Sequence, residues 1–166
     1  MIIGCTGNYR KSEYVEIVNH INKFLSNKSI RCIVSSDILN SDSINEYDIS
    51  ELDILDFSEL ENLSDIILCI GGDGTFLSTA RRMNANKKVP LLGIHIGGLG
   101  FLAGISRDNI DESLQSVIDE EYQVENRMRI QLKLKRDGMS EDFTALNAAN
   151  LSTFLDFIAS LISLLI

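Results

Sequence analysis

Glycine and aspartate are concentrated where this chain could do chemistry. Eight of its eleven glycines lie between residues 71 and 104, and seven of these form two clusters, Gly71-Gly72-Asp73-Gly74-Thr75 and Gly93–Leu102. Glycine in a regular element costs about 0.5–1 kcal/mol relative to alanine, so this concentration beside one acidic residue suggests a need for bare backbone. Bare peptide N–H groups bind anions. We therefore predict a phosphate site here, with Asp73 as a proton acceptor or a ligand of Mg²⁺.

The first cluster also has a plainer interpretation. An aspartate in a tight turn often caps the helix that follows it, and Gly-Gly-Asp-Gly alone does not distinguish capping from phosphate chemistry. The second cluster also follows a strand-like run, some twenty residues further on. Because ligands of open α/β sheets bind at the carboxyl ends of strands, the two clusters together favour the functional interpretation.

The elements that must position these clusters alternate between strand and helix. Continuous apolar runs predict buried parallel strands, and apolar residues at helical spacing predict amphipathic helices. The order predicts an α/β fold, with an open, mostly parallel sheet and flanking helices. The predicted strands are Met1–Cys5, Ile30–Ser35, Asp65–Ile70 and Val89–His95, and the predicted helices are Ser12–Asn27, Thr75–Met83 and Asn109–Glu120. Between Asp37 and Asp65 we predict a loop with one or two short elements, in which Leu60 and Leu63 anchor a turn.

The pattern changes after residue 121. Apolar and polar residues alternate strictly over Met128–Lys135, which predicts a half-exposed antiparallel strand, with Phe143–Leu146 as a candidate return strand. We predict an α/β domain over residues 1–121 and the first strands of an incomplete β-rich domain over 122–147. Residues 148–166 are apolar at helical spacing and form a predicted atypical helical tail, too short and too rich in serine for a membrane span.

The composition limits the classes of partner. A formal net charge of −9 argues against a nucleic acid or an anionic membrane as the main partner, whereas a small anionic ligand remains compatible. No signal peptide is recognisable, which predicts a cytoplasmic protein. Cys5, Cys32 and Cys69 lie in apolar runs and form no C-x-x-C pair, so we predict buried, reduced thiols and no metal site built from them.

Three motifs together resemble those of the NAD kinase family. They are Ile70-Gly71-Gly72-Asp73-Gly74-Thr75-Phe76-Leu77, the run from Pro90 to Leu102, and Arg127-Met128-Arg129 leading to Ala145-Leu146-Asn147. The resemblance implies a Rossmann-like first domain of the NAD kinase type. It also implies an enzyme that transfers the γ-phosphoryl group of ATP, or of polyphosphate in some members, to the 2′-hydroxyl of the adenosine ribose of NAD. A divalent cation, Mg²⁺, and a homo-oligomeric assembly belong to the same expectation.

The resemblance also assigns roles to individual residues. Asp73 would accept the proton of the ribose hydroxyl. The residues that would contact the nucleotide are Gly72, Asp73, Gly74, Leu77, Phe101, Leu102 and Asn147. Among these, Gly74 would pack against the dinucleotide, Phe101 and Leu102 would line the adenine side with support from Leu77, and Asn147 would hold the nicotinamide-side ribose or the diphosphate. We interpret His95 as a packed residue that shapes the turn, and Arg81 and Arg82 as solvated cations.

The family pattern ends at Asn147. Ala148 stands where the family has a glutamate, and the family's long β-rich domain does not follow. We therefore expect a truncated or frame-shifted member with weak or no activity on its own. One alternative is a non-catalytic nucleotide-binding fragment. Another is a lipid kinase of the diacylglycerol or sphingosine type, whose second motif typically reads Gly-Thr-Gly-Asn where this chain has Gly-Gly-Leu-Gly.

Overall fold

The computed structural model describes residues 1–84, 86–97, 104–136 and 139–146, and for residues 130–146 it describes the backbone alone. The chain divides into two compact units, of which the first is Met1–Val124 and the second begins at Glu125. The predicted tail and Asn147 lie outside the described residues, so the predicted limits of the domains stay predictions.

Strands and helices alternate along the first unit. Its strands are β1 (Ile2–Gly7), β2 (Arg31–Ser35), β3 (Asp53–Leu55), β4 (Ile66–Gly71) and β5 (Leu91–His95). Its helices are α1 (Glu13–Ser26), α2 (Phe57–Leu63), α3 (Asp73–Arg82) and α4 (Ile110–Ile118), with short 3-10 segments at Ser36–Asn40, Ile44–Glu46 and Arg107–Asn109. Each predicted strand and helix of this unit is present, with ends that differ by a few residues.

All five strands run parallel, in the order β3-β2-β1-β4-β5. The chain starts in the middle of this sheet, builds outward through β2 and β3, then returns to the other side of β1 for β4 and β5. The direction of building therefore reverses between β1 and β4. This arrangement confirms the predicted α/β class with an open parallel sheet and flanking helices.

Apolar side chains cover both faces of the sheet. On one face, α1 and α4 pack on alternate residues of the strands, including the fully buried Ile3, Val34 and Leu68. On the other face, α2 and α3 cover a smaller cluster around Ile33 and Ile67. Because both faces are buried, the central strand β4 is apolar at nearly every position, as is typical of parallel sheets.

The acidic stretch between β2 and β4 is more regular than predicted. It contains the edge strand β3 and the helix α2, whose N-cap Asp56 accepts a hydrogen bond from the Glu59 backbone N–H at 2.9 Å. Leu60 is fully buried, as an anchoring residue should be, but Leu63 is 44% exposed. The prediction that Leu63 anchors a turn is therefore wrong, because α2 directs this side chain away from the sheet.

The second unit contains an antiparallel pair, β6 (Arg129–Arg136) and β7 (Met139–Leu146). The strand predicted from the alternating pattern corresponds to β6, and the candidate return strand lies within β7. That these strands begin a larger β-rich domain stays a prediction. No helix among the described residues is long and apolar enough to cross a membrane.

Candidate active site

The carboxyl ends of β1 and β4 meet at the point where the direction of strand order reverses. Gly7 at the end of β1 is paired with Ile70 of β4, and the Asn8 backbone N–H donates to the Ile70 carbonyl at 2.8 Å. In open α/β sheets this crevice is where ligands bind. The Gly-Gly-Asp-Gly turn follows β4 directly and therefore lies at this crevice.

Close packing explains two of the glycines around the crevice. A Cβ atom on Gly7 would lie 2.1 Å from the Ile70 carbonyl oxygen, and one on Gly71 would lie 2.5 Å from Oγ1 of Thr75. Both distances are far below a van der Waals contact, so no larger residue fits without displacing backbone or the first turn of α3. These glycines allow β1, β4 and α3 to come together.

Packing does not explain the next two glycines, Gly72 and Gly74. In the described part of the chain, no heavy atom lies within 4 Å of a Cβ built on either residue. Gly72 has φ −102° and ψ −173°, an extended conformation that any residue adopts, and Gly74 lies in the first turn of α3. Both residues are exposed. The two positions that flank Asp73 therefore leave open space against bare backbone.

Asp73 is the first residue of α3, and Gly72 is its N-cap. Because Gly72 has no side chain, it makes no side-chain capping bond. The structure therefore does not place Asp73 at the cap position, as the plainer interpretation requires. The first N–H groups of a helix lack intrahelical partners and carry a partial positive charge of about half a unit. The half-buried Asp73 carboxylate therefore lies beside a partial positive charge that also attracts phosphate.

The second glycine cluster begins at the end of β5, next to β4. Gly97 has φ +104°, a left-handed conformation that favours glycine. His95, the last residue of β5, is 3% exposed, and its backbone N–H donates to the Ile105 carbonyl at 2.8 Å. His95 is therefore packed, as predicted, and that it shapes the turn stays a prediction. The backbone N–H of Ile96 donates to the Gly71 carbonyl at 3.4 Å, which links the two glycine clusters.

The structure places only part of the predicted site. Leu77 is half-buried on the second turn of α3, on the same helix as Asp73. Phe101, Leu102 and Asn147 lie outside the described residues, so their roles stay predictions.

Arg82 is not the solvated cation that we predicted. Its guanidinium forms an ion pair with Asp37, which follows β2, and stacks over the Phe57 ring at 4.1 Å from the ring centroid. The interaction ties the end of α3 to the loop after β2. Sequence reasoning missed it because the partners are 45 residues apart and neither carries a local signal.

A cleft of about 420 Å³ lies beside the first turn of α1, and Asp73 does not line it. Its charged side chains are Arg10, Lys11, Glu13, Asp42 and Glu46. Three carboxylates against two cations give this cleft a net negative charge, which disfavours phosphate. We therefore do not assign the predicted nucleotide to it.

The three cysteines are reduced and buried, as predicted. Cys69 lies in β4 two residues before Gly71, and its thiol is 3.3 Å from Oγ1 of Thr79 in α3. Burial raises the pKa of Cys69 to about 11. Among the described residues no group of three or more His, Cys, Asp or Glu side chains could hold a metal ion.

The sequence profile of the ATP-NAD kinase N-terminal domain matches residues 3–122 of this chain. An NAD kinase of Acetivibrio thermocellus is 40% identical over 77 residues, which are 46% of this chain and 26% of that protein. An NAD kinase of Pseudomonas putida is 31% identical over 134 residues, 81% of this chain and 43% of that protein. The chain thus spans less than half the length of these curated relatives.

Two solved structures share the fold. The yeast NADH kinase complexed with NADH superposes with a TM-score of 0.65 at 23% identity, covering 88% of this chain and 46% of that one. An NAD kinase from Archaeoglobus fulgidus in complex with ATP gives a TM-score of 0.51 at 19% identity, covering 80% of this chain and 41% of that one. At these identities the superpositions show a common fold.

Proposed function

This chain belongs to the ATP-NAD kinase family, and we propose that it carries the first domain of a kinase that phosphorylates NAD. The reaction is transfer of the γ-phosphoryl group of ATP to the 2′-hydroxyl of the adenosine ribose, which yields NADP. One observation carries the proposal beyond family membership. Gly72 and Gly74 flank Asp73 at the reversal point of the sheet, and neither conformation nor packing within the described residues requires them to be glycine.

Bare backbone on both sides of a carboxylate suits a ligand that must come within contact distance of the peptide groups. The N–H groups at the start of α3 would bind phosphate or diphosphate oxygens. A Cβ at position 72 or 74 would occupy the space that the ligand needs. The open space above both residues supports a nucleotide in that place.

In this proposal Asp73 acts as the base. The carboxylate would accept the proton of the 2′-hydroxyl while that oxygen attacks the γ-phosphorus, and ADP would leave with the pair of electrons of the broken P–O bond. Mg²⁺, when bound, neutralises charge on the transferred group. This cation commonly takes one or two carboxylates together with substrate phosphates, so Asp73 would hold it in the alternative in which this carboxylate is not the base.

Asp73→Asn in the purified chain tests the proposal. With NAD, ATP and Mg²⁺ present, NADP formation measured by chromatography should fall by about 10²–10⁴-fold, because a general base contributes that much. NAD binding measured by calorimetry should remain. Glu112→Gln, which removes a charge from the exposed first turn of α4, should leave both unchanged. Where the unaltered chain forms NADP, equal activity of Asp73→Asn would contradict the role of Asp73.

A non-catalytic nucleotide-binding fragment is the second candidate. This candidate is favoured because the chain spans only 26% of the Acetivibrio thermocellus relative and 43% of the Pseudomonas putida relative. Binding of NAD without formation of NADP by the unaltered chain would support it. The family resemblance also leads us to propose a homo-oligomer in the cytoplasm, which sedimentation of the purified chain and imaging of a tagged copy in cells would test.

A further inference from the structure

Two of the three cysteines touch across neighbouring strands. Cys5 lies in β1 and Cys32 in β2, and their sulfur atoms are 3.6 Å apart. In the parallel register Cys5 is opposite Val34 and Cys32 is opposite Ile3, so the two cysteines are a diagonal pair, offset by two residues. Side chains two residues apart along a strand point to the same face, which places both thiols on the face covered by α1.

Cys69 is excluded from this pair by the pleat of the sheet. It is opposite Thr6 in the register between β1 and β4, and Thr6 points to the face opposite Cys5. Its thiol contacts Thr79 of α3 instead, on the face that α2 and α3 cover. The chain therefore holds one pair of thiols in contact and one thiol that cannot reach them.

We propose that Cys5 and Cys32 form an intramolecular disulfide when the folded protein meets a peroxide. A disulfide needs a separation of about 2.0 Å between the sulfurs, so the pair must close by roughly 1.5 Å. Because the two cysteines are offset by two residues, side-chain rotation alone does not close this gap, and β1 must also shift relative to β2. Cys32 is 5% exposed and Cys5 is not exposed, so Cys32 is the thiol that meets the oxidant first.

The oxidation proceeds in two steps, through a sulfenic acid on Cys32. The Cys32 thiolate attacks one peroxide oxygen, the O–O bond breaks, one water leaves, and Cys32 becomes a sulfenic acid. The Cys5 sulfur then attacks the Cys32 sulfur, the S–S bond forms, and the second oxygen leaves as water. Two thiols are oxidised and one peroxide is reduced to two waters.

Burial makes the reaction slow and dependent on pH. The hydrogen bond to Cys32 and the burial of Cys5 raise the pKa of Cys5 well above its ordinary value. Thiolates are the reactive species, so the rate of oxidation should rise as the pH rises. The cross-link would close the segment of residues 6–31, which contains α1, and a closed loop of this length stabilises the fold by limiting the unfolded chain.

The test is oxidation of the full native chain by hydrogen peroxide, followed by titration of thiols after unfolding in acid. We expect the number of free thiols to fall from three to one, and the cross-linked peptide to weigh two hydrogens less than its two parts. Trypsin leaves Cys32 and Cys69 together in one peptide, residues 32–81. Mapping therefore needs cleavage at acidic residues, and it should link Cys5 to Cys32. The oxidised chain should unfold at a higher temperature, and dithiothreitol should reverse both changes.

Matched variants separate this pair from general oxidation. Cys69→Ser should still lose two thiols, whereas Cys5→Ala and Cys32→Ala should form no intramolecular disulfide, with circular dichroism confirming that each variant folds. Three free thiols after oxidation, a bridge that includes Cys69, or a bridge that forms only in the unfolded chain would each overturn the proposal.

Discussion

At the scale of single residues, the glycines around Asp73 serve different purposes. Gly71 is required by the approach of Thr75, whereas the described residues leave open space beside Gly72, which has an ordinary extended conformation. The same residue type therefore supports the fold at one position and, by our proposal, leaves room for the nucleotide at the next. Substitution at these adjacent positions should separate stability from binding.

Gly71→Ala should lower the stability of the fold by about 1–3 kcal/mol, because its Cβ overlaps the Thr75 side chain. Gly72→Ala should change the free energy of unfolding by less than about 1 kcal/mol, since alanine restricts the unfolded chain but is a poorer N-cap than glycine. The measurements are urea unfolding followed by circular dichroism and titration with NAD. Gly72→Ala should weaken NAD binding, and unaltered binding by this variant would contradict the proposed approach of the ligand.

At the scale of elements, the helices differ in how they begin. The N-cap of α2, Asp56, accepts a hydrogen bond from the Glu59 backbone N–H, whereas the N-cap of α1, Ser12, accepts none from the helix. The Ser12 hydroxyl donates to the Glu13 carboxylate instead. Because α2 has only seven residues, it depends on this cap and on the burial of Phe57 and Leu60.

Asp56→Ala should lower the free energy of unfolding by about 1 kcal/mol, which is the usual value of an N-cap bond. Ser12→Ala is the matched control and should change stability by less than about 0.5 kcal/mol, because it removes no cap bond. Chemical denaturation of both variants at pH 7 measures the difference. Equal losses of unfolding free energy in the two variants would show that the Asp56 cap does not stabilise α2.

At the scale of the whole first unit, the ion pair between Arg82 and Asp37 connects parts that are far apart in the sequence. Burial raises the pKa of Asp37, but hydrogen bonds from Arg82 and Ser35 outweigh this effect and hold the pKa below its ordinary value. A carboxyl group whose pKa is lowered by folding stabilises the folded state above its ordinary pKa, about 3.9, and loses that contribution as the pH falls through the lower folded value.

Arg82→Gln should therefore lower Tm at pH 7, and the difference from the unaltered chain should shrink as the pH falls below about 4. The effect should be modest, about 0.2–1 kcal/mol, since both side chains are partly exposed. Thermal unfolding at a series of pH values gives the measurement. Arg31→Gln, which breaks an exposed pair with Asp53, is the control. A difference in Tm between Arg82→Gln and the unaltered chain that stays constant down to pH 2 would rule out this linkage.

The sequence alone predicted the alternation of strands and helices, because period and apolar runs are local properties of the chain. It also identified Asp73 between glycines at the end of a strand, and the motifs that resemble NAD kinases. Only the tertiary structure decided which glycines pack and which face open space, that Arg82 pairs with Asp37, and that Cys5 touches Cys32 while Cys69 does not. These facts depend on which strands become neighbours and in what register, and contacts between residues distant in the sequence leave no periodic pattern in it.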